Sequence, residues 1–251
     1  MKIDVVLTPR LLSDSDCKGS LCSVIDVLRA TTTIVVALAN GATAVYPCRD
    51  AAEARKRAEA IGDTNILLGG EEEGLRIPGF HLGNSPLEYR SSDSIKGRTI
   101  IFATTNGTPT MQKAYSCSGA PVYIASLANL PAASTALVQS AADTSPTGIL
   151  LVCSGRYGSP SSEDLYCAGL LTAAIMDKLV HAGIEPEPGD GALIAAGFAG
   201  GDEEKALKAL SESEHGRYLQ SIGFNDDLEF ASHIGRYDVV PVFDGDQITL
   251  Q

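Results

Sequence analysis

Asp26 interrupts a β-branched run near its end in V-I-D-V-L-R-A-T-T-T, residues 24–33, and Arg29 follows three residues later. A carboxylate so placed can bind a hard cation, and an arginine can grip a phosphate or carboxylate with two parallel N–H bonds. The same pair also fits a helix cap and its ion-pair partner. A second loop of this kind is C-S-G-R-Y-G-S-P-S-S-E-D, residues 153–164. There Ser154, Gly155 and Arg156 leave an apolar run, and Glu163 and Asp164 open a helical stretch. Ser161 and Asp164 satisfy a capping box, so Asp164 alone reads as a cap. An arginine and two acids at one loop point further.

Two more loops carry polar groups beyond what a connector needs. In G-G-E-E-E-G, residues 69–74, Glu71 lies nearest the strand end and is the candidate ligand, with Glu72 and Glu73 a solvated charge run. From there an aperiodic Gly/Pro-rich stretch runs to Asn84, Ser85 and Pro86, a length that marks functional loops in compact domains. In I-I-F-A-T-T-N-G-T, residues 100–108, Thr105, Asn106, Gly107 and Thr108 lead a strand into a helix. Such a turn presents backbone N–H groups to a phosphate. It lacks the lysine of a nucleotide-binding Walker loop, and an Asn-Gly turn is the plain alternative.

Together these loops assemble the parts of metal-assisted phosphoryl transfer: carboxylates for a hard cation, arginines and amides for anionic oxygens. The formal net charge of −12 gives the cation a second purpose. A small anionic phosphoester needs local offset of the global field, which Mg²⁺ on two or three of these carboxylates would supply. The same charge disfavours nucleic acid, which requires a basic face. Four dispersed histidines show no zinc spacing, and six cysteines without a C-x-x-C pair read as reduced thiols. The D-x-D of haloacid-dehalogenase phosphatases is absent, since residue 28 is Leu, and so is the C-x5-R of cysteine phosphatases.

The elements that must position these loops alternate. Apolar runs at residues 3–7, 21–27, 65–68, 99–103, 121–125 and 148–153 predict strands, and stretches at 51–61, 127–142 and 163–181 have helical spacing. This alternation predicts an α/β fold with a mixed, largely parallel sheet, as a single unit over residues 1–251. Residues 31–39, β-branched and followed by Asn40-Gly41, fit a strand with a hairpin turn or, as the alanines favour, a helix with a left-handed cap; residues 202–223 and 226–236 read as charged helices, and 239–243 as an edge strand because of Pro241. No run of about 18 apolar residues spans a membrane, and no secretion signal opens the chain, so the expected location is the cytoplasm.

The ordered set V-I-D-V-L-R-A-T-T-T, G-G-E-x-x-G, G-F-x-L-G-N-S-P, T-T-N-G-T and C-S-G-R…S-x-E-D-x-x-C-A-G resembles the 2-phosphosulfolactate phosphatases over residues 1–243. The tail motif D-D-L…Y-D-V-V-P belongs to the same pattern. The resemblance implies a three-layer α/β/α arrangement and Mg²⁺-dependent hydrolysis of 2-phospho-3-sulfolactate to 3-sulfolactate and phosphate, a step toward coenzyme M or sulfolactate. It implies Asp26, Arg29, Arg156 and Asp164 as catalytic residues. Asn84, Ser85, Thr105, Asn106, Gly107, Thr108, Ser154 and Gly155 would bind substrate, and Asp26, Glu71 and Glu163 the metal. Asp227 and Asp238 are further candidates. A metal-activated water is the expected nucleophile, and an aspartyl-phosphate through Asp26 the covalent alternative. Glu72 stands where relatives are expected to carry a basic residue and His81 where they carry an acid, which opens the choice of substrate to other phospho-2-hydroxy acids. A non-catalytic anion-binding domain is the rival from a different class. Assembly with further copies of the chain stays open.

Overall fold

Strands β1 (Lys2–Val6), β2 (Leu21–Ile25), β3 (Ala44–Cys48), β4 (Ile66–Glu72), β5 (Leu75–Arg76) and β6 (Thr99–Ala103) alternate with helices α1 (Asp14–Cys17), α2 (Ala30–Ala39), α3 (Ala51–Ile61) and α4 (Ser92–Ile95). There follow α5 (Gly107–Ser118), β7 (Val122–Ala125), α6 (Leu130–Thr144), β8 (Ile149–Cys153), α7 (Ser162–His181) and β9 (Glu187–Pro188). The tail holds α8 (Asp190–Phe198), α9 (Glu203–Glu212), α10 (Glu214–Ser221), α11 (Asn225–Ser232), β10 (Pro241–Phe243) and β11 (Ile248–Leu250). The computed structural model describes residues 1–251 apart from the side chain of Asp14.

All eleven strands join one sheet in the order β5-β4-β6-β3-β11-β10-β7-β2-β8-β1-β9. One parallel block contains β4, β6 and β3, and another contains β7, β2, β8, β1 and β9. Between them β11 and β10 pair antiparallel to each other and to both neighbours. Three antiparallel steps reverse the second block relative to the first. In a flat sheet the carboxyl ends of β2 and β4 would lie on opposite edges. Twist of roughly 20–25° per strand, accumulated over the steps between them, is what lets these ends approach.

Period-two alternation divides the side chains between two faces. In β8, Ile149, Leu151 and Cys153 join one core with α6, α7 and α8, while Leu150 and Val152 join another with α2 and α5. In β6, Ile100 and Phe102 face α2 and α5, while Ile101 and Ala103 meet α3. The result is the expected three layers. Helix α2 is buried from Ala30 to Leu38, which explains why its residues show no polar stripe. It ends at Asn40, and Gly41 takes a left-handed φ of +91°, as the Asn-Gly pair predicted.

Several expectations need correction. Pro241 is not on an edge strand: β10 has a neighbour on each side. Pro241 opens that strand, and pairing with β7 begins at Val242, so its missing N–H costs no bond there. The charged helix expected over residues 202–223 breaks at Ser213, whose hydroxyl accepts the Gly216 N–H and starts α10. Strands β3, β5, β9 and β11 gave no apolar run strong enough to predict. Cys17 and Cys117 form a disulfide between α1 and α5, with Cα atoms 5.7 Å apart, so not every cysteine is a free thiol. They lie 100 residues apart in sequence, and no spacing rule reports such a pair. Cys22, Cys48, Cys153 and Cys167 are free and buried. No helix among the described residues is long and apolar enough to cross a membrane.

Candidate active site

Asp26 ends β2 and begins the turn into α2. Its Oδ1 accepts the Ala30 N–H at 3.3 Å, so it does serve as a weak helix cap. Thr31 completes the turn, accepting the Asp26 N–H at 3.1 Å and donating to the Asp26 carbonyl at 2.9 Å. The other carboxylate oxygen faces the start of α5: a Cβ on Gly107 would lie 3.0 Å from Asp26 Oδ2 and 2.9 Å from the Ala30 methyl. Only glycine lets α5 approach so closely. Asp26 is buried, and that desolvation raises its pKa to about 6. His215 and the Ala30 N–H oppose the shift, while Glu71 and Glu163 add to it.

Glu71, at the end of β4, ties two loops together. Its Oε2 accepts the Gly74 N–H at 2.7 Å, and its Oε1 accepts from the Thr105 N–H and hydroxyl at 3.2 and 3.0 Å. Beside it Gly70, at φ +138°, brings β4 so close to β6 that a Cβ would sit 2.2 Å from the Ala103 carbonyl. Arg29 is 2% exposed and pairs with Asp227 at 2.8 Å. It also donates to the Gly74 carbonyl at 2.5 Å and lies over the Phe224 ring. Ser85 donates to the other Asp227 oxygen at 2.6 Å.

Helix α10 forms the far wall. Its Glu214 reaches Arg156 at 3.5 Å, and the Arg156 guanidinium stacks over Tyr218 at 4.5 Å. Tyr218 donates to the Glu73 carbonyl at 2.8 Å, joining this wall to the acidic turn. His215 Nδ1 stands 3.6 Å from Glu163 Oε1. The other Glu163 oxygen is buried with no hydrogen-bond partner. Asp164 points the other way, accepting the Val27 and Gly155 N–H groups at 2.9 Å each. These bonds staple the ends of β2 and β8 together. Burial, Glu163 and Asp26 nevertheless hold the Asp164 carboxyl well above the usual range.

Asp26, Arg29, Glu71, Asn84, Thr105, Asn106 and Arg156 therefore line one cavity, of about 20 Å³, room for little more than a water molecule. The four loops singled out by sequence do meet. The remaining candidates stand around it: Glu163 and Asp164 behind Asp26, Ser85 on Asp227, Gly107 under Asp26, and Thr108 bonded through its N–H to Thr104 Oγ1 at 3.2 Å. Gly155 is held by Asp164, and Ser154 opens on a neighbouring cleft. Asp238 lines a separate hollow with α6. Glu72 is exposed, and His81 accepts the Leu68 N–H at the outer side of β4.

The family model for 2-phosphosulpholactate phosphatase matches residues 6–246. This chain belongs to that family. It is 40% identical over 233 residues to the probable 2-phosphosulfolactate phosphatase of Symbiobacterium thermophilum, covering 92% of this chain and 94% of that protein. The probable 2-phosphosulfolactate phosphatase of Pseudothermotoga lettingae is 38% identical over 250 residues, 99% of each chain. That of Clostridium beijerinckii is 30% identical over 251 residues and covers both chains completely. The cavity collects residues from every motif of the resemblance except that of the tail, whose Asp227 reaches it only through Arg29.

Sequence reasoning missed His215, Tyr218 and Thr104, all of which line the cavity. A lone histidine in a charged helix carries no local signal, and only the packing of α10 brings it to Glu163. Thr104 is the first residue of T-T-N-G-T, whose candidates were taken only from Thr105 onward.

Two outcomes test this geometry. Because the folded pKa of Asp26 lies above its unfolded value, the folded state binds the extra proton between about pH 4 and 6. The stabilisation is present at low pH and is lost as pH rises through about 6. Asp26→Asn should therefore make metal-free protein more stable at pH 8, by up to about 3 kcal/mol, with no gain near pH 4. Denaturant melts at the two pH values check this, and a lower midpoint at pH 8 would show a cap role alone. Asp227→Ala leaves Arg29 buried and unpaired and should cost roughly 3–5 kcal/mol. Replacing both partners by apolar residues should recover much of that loss, measured by the same melts.

Proposed function

We propose that this chain is a Mg²⁺-dependent phosphatase of the cytoplasm that hydrolyses 2-phospho-3-sulfolactate to 3-sulfolactate and phosphate. One observation carries the reading. Two arginines and a histidine share a single small cavity with a buried acid cluster around Asp26. A protein that merely held an anion would gain nothing from Asp26 and Glu163 beside it, since both repel phosphate. A hydrolase that brings a cation needs them.

The residues fit Mg²⁺. Glu163 Oε2 is buried and unpartnered, and Asp26, Glu71 and Glu163 interact unfavourably in the absence of a cation. Among the described residues no three His, Cys, Asp or Glu side chains form a ready cage. The expected set of Asp26, Glu71 and Glu163 is thus not gathered as a cage, and a Mg²⁺ held here would rest on one or two carboxylates, with water and phosphate oxygens completing its shell. Asp26 and Glu163 would hold it, with Glu71, already bonded at both oxygens, adding charge nearby. When bound, the ion withdraws charge from the phosphoryl oxygens and makes an attacking water more acidic.

The protein's own groups do the rest. Arg156, fixed by Glu214 and Tyr218, offers its remaining N–H donors to the phosphoryl oxygens, where charge grows in the transition state. Arg29 contributes charge from a guanidinium locked by Asp227 and Gly74. The amide of Asn84, whose Oδ1 has no partner, is free to turn toward substrate. Asp26 Oδ2, which faces the start of α5, can accept a hydrogen bond from a water and so orient it for attack. His215, held beside Glu163, can hand its proton to the departing alkoxide oxygen.

Phosphate release should be seen with phosphosulfolactate, should stop in excess chelator and should return with Mg²⁺. Full turnover in chelator overturns the metal, and turnover of phospholactate or phosphoglycolate in preference to phosphosulfolactate overturns the substrate. His215→Ala should lower kcat about 10²-fold for phospholactate, whose alkoxide leaves poorly, and much less for phosphoenolpyruvate, whose leaving group needs no such proton. Equal losses on both would deny His215 the acid role.

A further inference from the structure

Leu193, Ile194 and Phe198 of α8 are 54%, 57% and 51% exposed. With Asp190 and Gly197 they recur at helical spacing along the outward face, whereas Ala192 and Ala195 on the inward face are fully buried. The inward face is complete, since α7 approaches so closely that a Cβ on its Gly169 would run into the Ala195 carbonyl. Gly197 has no such reason. A Cβ there would meet nothing within 4 Å, and its backbone is helical, so neither packing nor conformation within this chain requires a glycine. A glycine in the middle of an apolar stripe leaves room for another backbone to come close.

Charge marks the two ends of the stripe. Residues 191–201 hold no charged side chain, in a chain whose net charge is −12. Asp190 stands exposed at the start of α8. Beyond the other end Lys205, also exposed, folds over Gly201, where a Cβ would collide with its side chain. Neither Asp190 nor Lys205 has an ion-pair partner among the described residues. The stripe is thus acidic at one end, basic at the other and neutral between. Two copies of it laid antiparallel match, apolar on apolar, with Asp190 of each copy beside Lys205 of the other. A parallel alignment would set like charges together.

We infer that the outward face of α8 is a self-association surface, on which a second copy of this chain docks its own α8 antiparallel about a twofold axis. Two copies of a chain with net charge −12 repel, and a face whose only charges are a complementary pair is where they can meet. A lipid surface fits less well, because a helix lying on anionic lipid needs several basic residues beside its apolar face. None of these residues lines the catalytic cavity, so the inference stands apart from the proposed reaction. The stripe is short, which puts the contact at the small end of specific interfaces. The dimer is therefore reversible, with a Kd on the order of 10 μM.

Sedimentation velocity of the full chain, from about 1 to about 200 μM, should show a monomer–dimer equilibrium. Ile194→Asp should weaken it by roughly tenfold or more, with melting curves verifying that this and the other variants fold. Asp190→Lys and Lys205→Asp should each weaken self-association by about three- to tenfold, because each sets like charges together twice across the twofold axis. Both changes in one chain should restore it to within about twofold of wild type. An equimolar mixture of the two single variants should also recover, as a mixed dimer. A chain that stays monomeric at the highest concentration overturns the pairing and leaves the stripe to a different partner. A dimer that Ile194→Asp leaves intact is built on another face and overturns it as well. Single reversals that weaken the dimer without recovery in the double variant or the mixture overturn the antiparallel arrangement.

Discussion

Asp26, Glu163 and Asp164 are each buried within reach of the others' fields, and removing several carboxylates from water at one point is the costliest thing this fold does. The surroundings answer each one differently. Asp164 receives two backbone N–H groups and in return ties the β2 and β8 loops together. Glu163 faces His215 with one oxygen and leaves the other unpaired. Asp26 receives one long N–H bond and has its pKa lifted to about 6. Neighbouring acids of one side-chain type thus sit in graded environments, Asp164 as a structural anchor and Asp26 and Glu163 with charge left unsatisfied.

The adjacent parallel strands β2 and β8 bring those three acids together, and Glu71 joins them from the other parallel block. The β10–β11 hairpin reverses one parallel block against the other, and twist across it turns the loops after β2 and β8 toward those after β4 and β6. The loops are then locked by polar bonds rather than apolar packing. Glu71 holds Thr105 and Gly74, Arg29 holds Gly74 and Asp227, and Tyr218 holds the Glu73 carbonyl. Apart from the local Glu71–Gly74 bond, each crosses between segments far apart in sequence. The site is therefore stiff where it binds charge, which is what preorganised stabilisation of a phosphoryl group requires.

Arg29 illustrates how location changes a role. Its sequence position beside Asp26 suggested a direct grip on the phosphoryl group. In the fold its fork is largely committed to Asp227 and Gly74, so it lends charge to the cavity while holding the tail helix α11 in place. Arg156, less buried and bonded only to an exposed glutamate at 3.5 Å, is the freer donor. Two arginines that look alike in the motifs thus divide support and contact between them.

Much of this was legible in the chain. Apolar runs with period-two alternation located the strands flanking the site, such as β8, whose residues serve two cores in turn. Breaks in those runs located Asp26, Glu71, Thr105 and Arg156, because a carboxylate, an arginine or a small hydroxyl at a strand end is a local fact. What waited for the tertiary structure was every pairing across long separations. The Arg29–Asp227 bond spans 198 residues, and the Cys17–Cys117 disulfide spans 100. His215 meets Glu163 only because α10 packs over the loop that α7 opens, and Ser154 parts from Arg156 only because Asn106 and Tyr157 stand between two cavities. Periodicity and turn chemistry act over a few residues, whereas these contacts depend on how whole layers dock, and no short window of sequence carries that information.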